Sequence, residues 1–288
     1  MRFFSRSPAY AVLAIIACAP LTTFAQKEAV SGSPKVLVVD REFTRPGRGG
    51  LTHEKAESAY VRALASARSP AHYFALTSLT GQSRSLFFTG YTSFAEWETE
   101  NKSVEGNAML AAALDRASVA DAELLAQFDT NVWTRRDDLS LNATGLLGDR
   151  YIQMTQFIVR PGHLEEWNEM FKLIMQGYKK GVPAWHWTTY QQEFGSNNNA
   201  FVVMTPFRAL TDVDQEHGSG SAFTEAMGEA GVKRVEELEA ACIESEQTSL
   251  YLINPRMSYP ADEWVKAEPD FWKPKPAGGK KNASHSAE

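Results

Sequence analysis

His186 sits between two tryptophans, Trp185 and Trp187, while Arg135, Asp40 and Glu42 fall in segments that alternate like strands. An imidazole titrating near neutrality can act as a general base, or ligate a metal or haem iron. A guanidinium can hold a carboxylate or enolate oxygen that tyrosines orient. Read by alternation, Asp40, Glu42, Tyr73, Trp133, Arg135, Gln153, His186, Tyr190 and Tyr251 share an interior face. His186 is the candidate catalytic residue and the other eight are candidate ligand-binding residues. An aromatic wall with a few convergent polar groups is what a small-molecule pocket requires. The plainer reading is a filled interior, with His186 a packing residue and Asp40 or Glu42 in a structural ion pair with Arg135.

Other chemistries find little support. His53, His163, His217 and His285 lack metal-ligand spacing, so no metal site is expected. Asp212, Asp214 and Glu216 begin like a calcium loop. The sixth position is His217 where glycine is needed, however, and the twelfth is Phe223 where glutamate is needed. A solvated acidic turn before Gly218-Ser219-Gly220 is the better reading. No phosphate-cradling glycine loop or nucleophile elbow is present.

The elements that must position these residues come as a tandem repeat. Arg45-Pro46-Gly47 returns as Arg160-Pro161-Gly162, and Pro70-Ala71 as Pro183-Ala184. Leu86-Phe87-Phe88 returns as Phe201-Val202-Val203, and Thr130 to Trp133 as Thr248 to Tyr251. All lie between 113 and 118 residues apart. Each copy reads β-α-β-β-α-β, the ferredoxin-like unit, a four-stranded antiparallel sheet with both helices on one face. Two such units in one chain can set their open faces together as an intramolecular α+β barrel. The divisions are an export signal at 1–25, a flexible leader at 26–34 and a first repeat at 35–138. A linker at 139–149, a second repeat at 150–255 and an extended tail at 256–288 follow. On this reading Leu37, Val39 and Phe43, with Ile152, Met154 and Ile158, pack beneath the helices. So do His72, Phe74, Leu76, Trp185 and Trp187. Trp264, Phe271 and Trp272 of the tail could dock across an open end of the barrel.

The second copy resembles the dimeric α+β-barrel superfamily, in particular its NIPSNAP-like and antibiotic-biosynthesis-monooxygenase-like groups. The resemblance lies in the strand Tyr151 to Val159, in Arg160 to Trp167, in the paired strands 185–192 and 200–204, and in Thr205 to Leu210 entering a helix. The first copy is similar but looser, because Arg48-Gly49-Gly50 lengthens its turn. The resemblance implies the fold and leaves the activity open, since such families hold cofactor-free oxygenases, isomerases and haem-handling proteins. No cofactor is expected from the residues themselves, and haem enters only through the resemblance.

Arg2 and Arg6, the apolar run Ala9 to Ala19 and the small residues of Thr23-Phe24-Ala25 read as a bacterial-type export signal cleaved before Gln26. Lipoprotein processing at Cys18 is the alternative. The destination is thus periplasmic or secreted, and the apolar run is too short for a membrane span. The 288 residues carry a formal charge of −6, and removal of the signal takes away two arginines and no acid, leaving −8. Such a chain is not suited to nucleic acid or anionic membrane. After cleavage only Cys242 remains, which excludes an internal disulfide. Three functions fit: an exported barrel binding a small, partly aromatic molecule between its sheets; a cofactor-free monooxygenase or isomerase using the same lining; and a scaffold with a filled interior.

Overall fold

The computed structural model describes residues 33–196 and 199–273. The export signal, Cys18, most of the leader and the last fifteen residues lie outside the described residues. Arg45-Pro46-Gly47 and its copy end a strand and launch a helix for a conformational reason. Gly47 and Gly162 hold φ of 77° and 88°, a region that side-chain-bearing residues avoid. The first half comprises β1 (Val36–Thr44), α1 (Leu51–Ala67), β2 (Tyr73–Ser78), β3 (Arg84–Tyr91), α2 (Phe94–Glu105), α3 (Ala108–Ala122) and β4 (Leu125–Arg135). The second comprises β5 (Tyr151–Val159), α4 (Leu164–Gly181), β6 (Thr188–Phe194), β7 (Ala200–Phe207), α5 (Leu210–Cys242) and β8 (Ile243–Tyr259).

The eight strands close into an antiparallel barrel in the order β1-β3-β2-β8-β5-β7-β6-β4. Each half contributes a four-stranded ferredoxin-like sheet. The halves join at two equivalent seams, β2 with β8 and β4 with β6. The chain is therefore an α+β barrel of the dimeric α+β type, made within one polypeptide.

The barrel interior is a core drawn from both halves, including Leu37, Val39, Leu86, Phe88, Trp133, Ile152, Tyr190, Val202, Met204, Tyr251 and Ile253. This reverses the expected facing of three strands. Leu37 and Val39 of β1, Phe74 and Leu76 of β2, and Ile152, Met154 and Ile158 of β5 belong to the interior cluster. Their neighbours lie on the helix side: Val36 and Val38 pack with Trp97 of α2, and Phe157 with Trp167 and Phe171 of α4. The physical reason is that closing the barrel shuts its interior off from water on all sides. The more apolar set of each strand gains most there. For β4, β6 and β8 the expected facing matches the structure, with Trp133, Tyr190 and Tyr251 all inside.

On the outer face, α4 buries Trp167, Met170 and Phe171 against Phe201 and Val159, joined by Leu238 and Cys242. Cys242 is a free, buried thiol there, as its helical setting implied. The acidic segment from Asp212 is the start of α5, and no turn interrupts it. The Asp212 carboxylate accepts from the backbone N–H groups of Arg208 and Ala209. The segment beyond Arg256 is more regular than expected. β8 runs to Tyr259, and α6 (Asp262–Ala267) and α7 (Pro269–Trp272) follow. Trp272 joins the interior cluster, with Trp264 and Phe271 packed against it. Among the described residues no helix is long and apolar enough to cross a membrane.

Candidate functional site

Two places could bind something. The first is a cavity of about 130 Å³ at one mouth of the barrel. Its apolar wall is Leu37, Phe74, Phe88, Leu146, Met204 and Trp264, so both halves, the linker and the tail contribute. Its polar groups are few and mutually satisfied. The Ser33 and Thr188 hydroxyls lie 2.7 Å apart, and the Tyr190 hydroxyl donates to the Pro34 carbonyl at 3.0 Å. Burial raises the Tyr190 phenol well above its ordinary range, so it remains a donor. Met204 also borders a smaller space of about 50 Å³ deeper in the barrel. There Arg84 donates to the Tyr251 hydroxyl at 2.6 Å and to Ser249 at 3.0 Å, while Arg41 forms a two-pronged pair with Asp129.

The second place is outside the barrel, between the first sheet and its helices. Glu42 of β1, His53 and Glu57 of α1, and Asp121 of α3 are all buried, and one ligand atom from each lies within 4.8 Å of the others. His53 Nε2 donates to Glu42 Oε2 at 2.8 Å, and stands 3.4 Å from Asp121 Oδ1 and 3.9 Å from Glu57 Oε1. Burial alone would lower the His53 pKa, but the Asp121 and Glu42 carboxylates outweigh it and carry it up to about 10. Burial, reinforced by Glu42 and Asp121, raises Glu57 to about 9. Burial also raises Glu42.

The nine residues singled out by alternation therefore divide. Tyr190 lines the mouth cavity, and Trp133 and Tyr251 line the deeper one. Arg135 stands behind the mouth, paired with Asp137 at 2.6 Å and donating to the Ser33 carbonyl. Asp40, Glu42, Tyr73 and Gln153 do not share the interior face. Asp40 accepts from Thr130 at 2.6 Å on the helix side, and Gln153 alternates with the interior residues Ile152 and Met154. Tyr73 borders the mouth cavity but packs with Ala75, Phe87 and Met257, and its hydroxyl feels the charges of Glu57 and Glu42. His186 precedes β6, half-buried, with Nδ1 3.5 Å from the Ala184 carbonyl oxygen. It lines neither cavity.

His53, set aside for want of metal-ligand spacing, is the residue that sequence reasoning missed. One signal was present: His53 and Glu57 are four apart on a helix and so share a face. Haem does not fit the barrel, because a pocket of about 130 Å³ is well below the roughly 300–1,000 Å³ that drug-sized ligands occupy.

No family model matches the chain, and no curated protein matches it in sequence. Solved structures are similar in outline. An anthrone oxidase-like protein is 16% identical, with 78% of this chain and 94% of that one aligned, at a TM-score of 0.49. A monooxygenase-like protein of Fusobacterium nucleatum is 10% identical over 77% of this chain and 93% of its own, also at 0.49. Chlorite dismutase of Candidatus Nitrospira defluvii, solved with imidazole, is 12% identical over 81% and 94%, at 0.44. The fold assignment rests on the strand order described above.

Proposed function

We propose that the chain is an exported α+β-barrel protein that binds a small, single-ring molecule at the barrel mouth. The observation that carries this reading is the mouth cavity itself, apolar, walled by both halves and bordered by a few hydroxyls. A dry apolar cavity of about 150 Å³ is enough to hold benzene, and this one is about 130 Å³. The ligand class is therefore one aromatic ring with at most a small polar substituent near Ser33, Thr188 or Tyr190. These hydroxyls already satisfy one another, so they fit orientation of a guest better than abstraction of its proton.

Phenol is a suitable probe. Titration of the purified chain followed by NMR is expected to move resonances of Thr188, Tyr190 and Trp264, and Leu37→Phe, which fills the cavity, is expected to abolish the response. Absence of binding at millimolar phenol, or binding indifferent to Leu37→Phe, would remove the reading. The export part rests on the signal-like first 25 residues. The secreted chain is expected to start at Gln26, whereas an acylated Cys18 would establish the lipoprotein route instead.

A further inference from the structure

The Glu42, His53, Glu57 and Asp121 cluster belongs to no part of the barrel cavity, and packing does not explain it. Three carboxylates brought together away from water are costly unless something neutralises them. Hydrogen bonding within the cluster does not finish the task. His53 Nε2 carries at most one hydrogen, and Glu42 accepts it. Glu57 Oε1 and Asp121 Oδ1 are left without a hydrogen-bond partner, on side chains only 3% and 2% exposed, and both face the same imidazole nitrogen.

The spacing is that of a coordination shell. Ligand atoms about 2.1 Å from a shared ion stand about 3.0 Å apart at octahedral angles and about 3.4 Å apart at tetrahedral ones. The distances from His53 Nε2 to the three carboxylate oxygens, 2.8, 3.4 and 3.9 Å, bracket those values. The other ring nitrogen is oriented from behind. Nδ1 lies 3.4 Å from Ser85 Oγ, the kind of outer contact that fixes an imidazole for ligation through Nε2. Glu42 and Ser85 are paired across β1 and β3, while His53 and Glu57 occupy one face of α1. The donors are thus delivered by elements the fold already holds rigid.

We propose that Glu42, His53, Glu57 and Asp121 are the ligands of a divalent transition-metal ion that ties β1 to α1 and α3. One imidazole with three carboxylates suits Zn²⁺, Mn²⁺ or Fe²⁺; Ca²⁺ and Mg²⁺ prefer all-oxygen shells. Complete burial leaves no path for a substrate, so the ion is structural and enters as the chain folds.

The test uses the untagged full chain, refolded from denaturant with Zn²⁺, with Mn²⁺, or with a chelator, and assayed for bound metal and for Tm. About one ion per chain is expected in the wild type, with a Tm above that of the chelator-treated chain. Glu57→Gln, close to isosteric, is expected to fold but to lose the ion and the Tm difference, as is His53→Ala where it folds. The proposal is overturned if the wild type takes up neither metal and melts identically with and without them. It is equally overturned if Glu57→Gln retains the ion.

Discussion

Gly47 and Gly162 occupy the same place in the two halves, each at positive φ with open space where a Cβ would go. Their constraint is conformational and owes nothing to crowding. Gly162→Ala is therefore expected to cost about 1–2 kcal/mol, the penalty for a left-handed alanine. Gly162→Asn is expected to cost less, because asparagine tolerates that region. Urea denaturation of the two variants checks the order; equal losses would point to packing instead. The arginine and proline beside each glycine recur for the same reason, which is why this motif was visible in the sequence yet carries no chemistry.

Among the elements, the short helices α6 and α7 depend on a small latch. Glu268 pairs with Arg150 at 2.8 Å and accepts from Gly148 N–H, and the Arg150 guanidinium lies 3.8 Å from the centre of the Phe271 ring. The Arg150 hydrogen bonds hold the Glu268 carboxyl below its ordinary 4.5. A lowered pKa means that the latch contributes fully above pH 4.5 and is lost as pH falls through the lowered value. Protease cutting within 260–273 is expected to quicken below pH 4.5, and Glu268→Gln is expected to give that behaviour at neutral pH. Global stability should change by less than about 1 kcal/mol, as for other partly exposed pairs. Cutting that does not respond to either change would show that Trp264 and Trp272 hold the tail unaided. The elements themselves were largely legible, because turns, helical spacing and strand alternation are local. Their facing was not. β1 alternates as expected, but nothing local says that a closed barrel claims the apolar parity, and so Glu42 was sent inside. A second error came from alignment. Phe74 pairs with Phe88 as Thr188 pairs with Met204, one residue away from the match suggested by Pro70-Ala71 and Pro183-Ala184. A slip of one residue inverts a strand. Of the buried cluster, His53 and Glu57 could be joined by helical spacing, but Asp121 reaches them only through the packing of α3 beside α1.

At the scale of the whole molecule, the interior core spans both seams, so neither half has a complete core of its own. Thermal unfolding is expected as one transition, with calorimetric and van't Hoff enthalpies in agreement; two resolved transitions would mean that the halves fold independently. The seam between β4 and β6 offers a sharper probe. Gly195 has φ of 99°, and a Cβ there would sit 2.3 Å from the Thr130 carbonyl oxygen. Gly195→Ala should cost about 3 kcal/mol or more, from strain plus overpacking. The mouth cavity has a further consequence, one of time. Its wall takes Ser33 and Pro34 from the start of the described chain, Gly145 and Leu146 from the middle, and Pro260 to Trp264 from near the end. A ribosome delivers these segments in that order. The eight strands are all made before the last piece of wall, so any guest must wait for nearly the whole polypeptide. The pocket is the last part of the molecule to come into being, and it records that synthesis has run to the end.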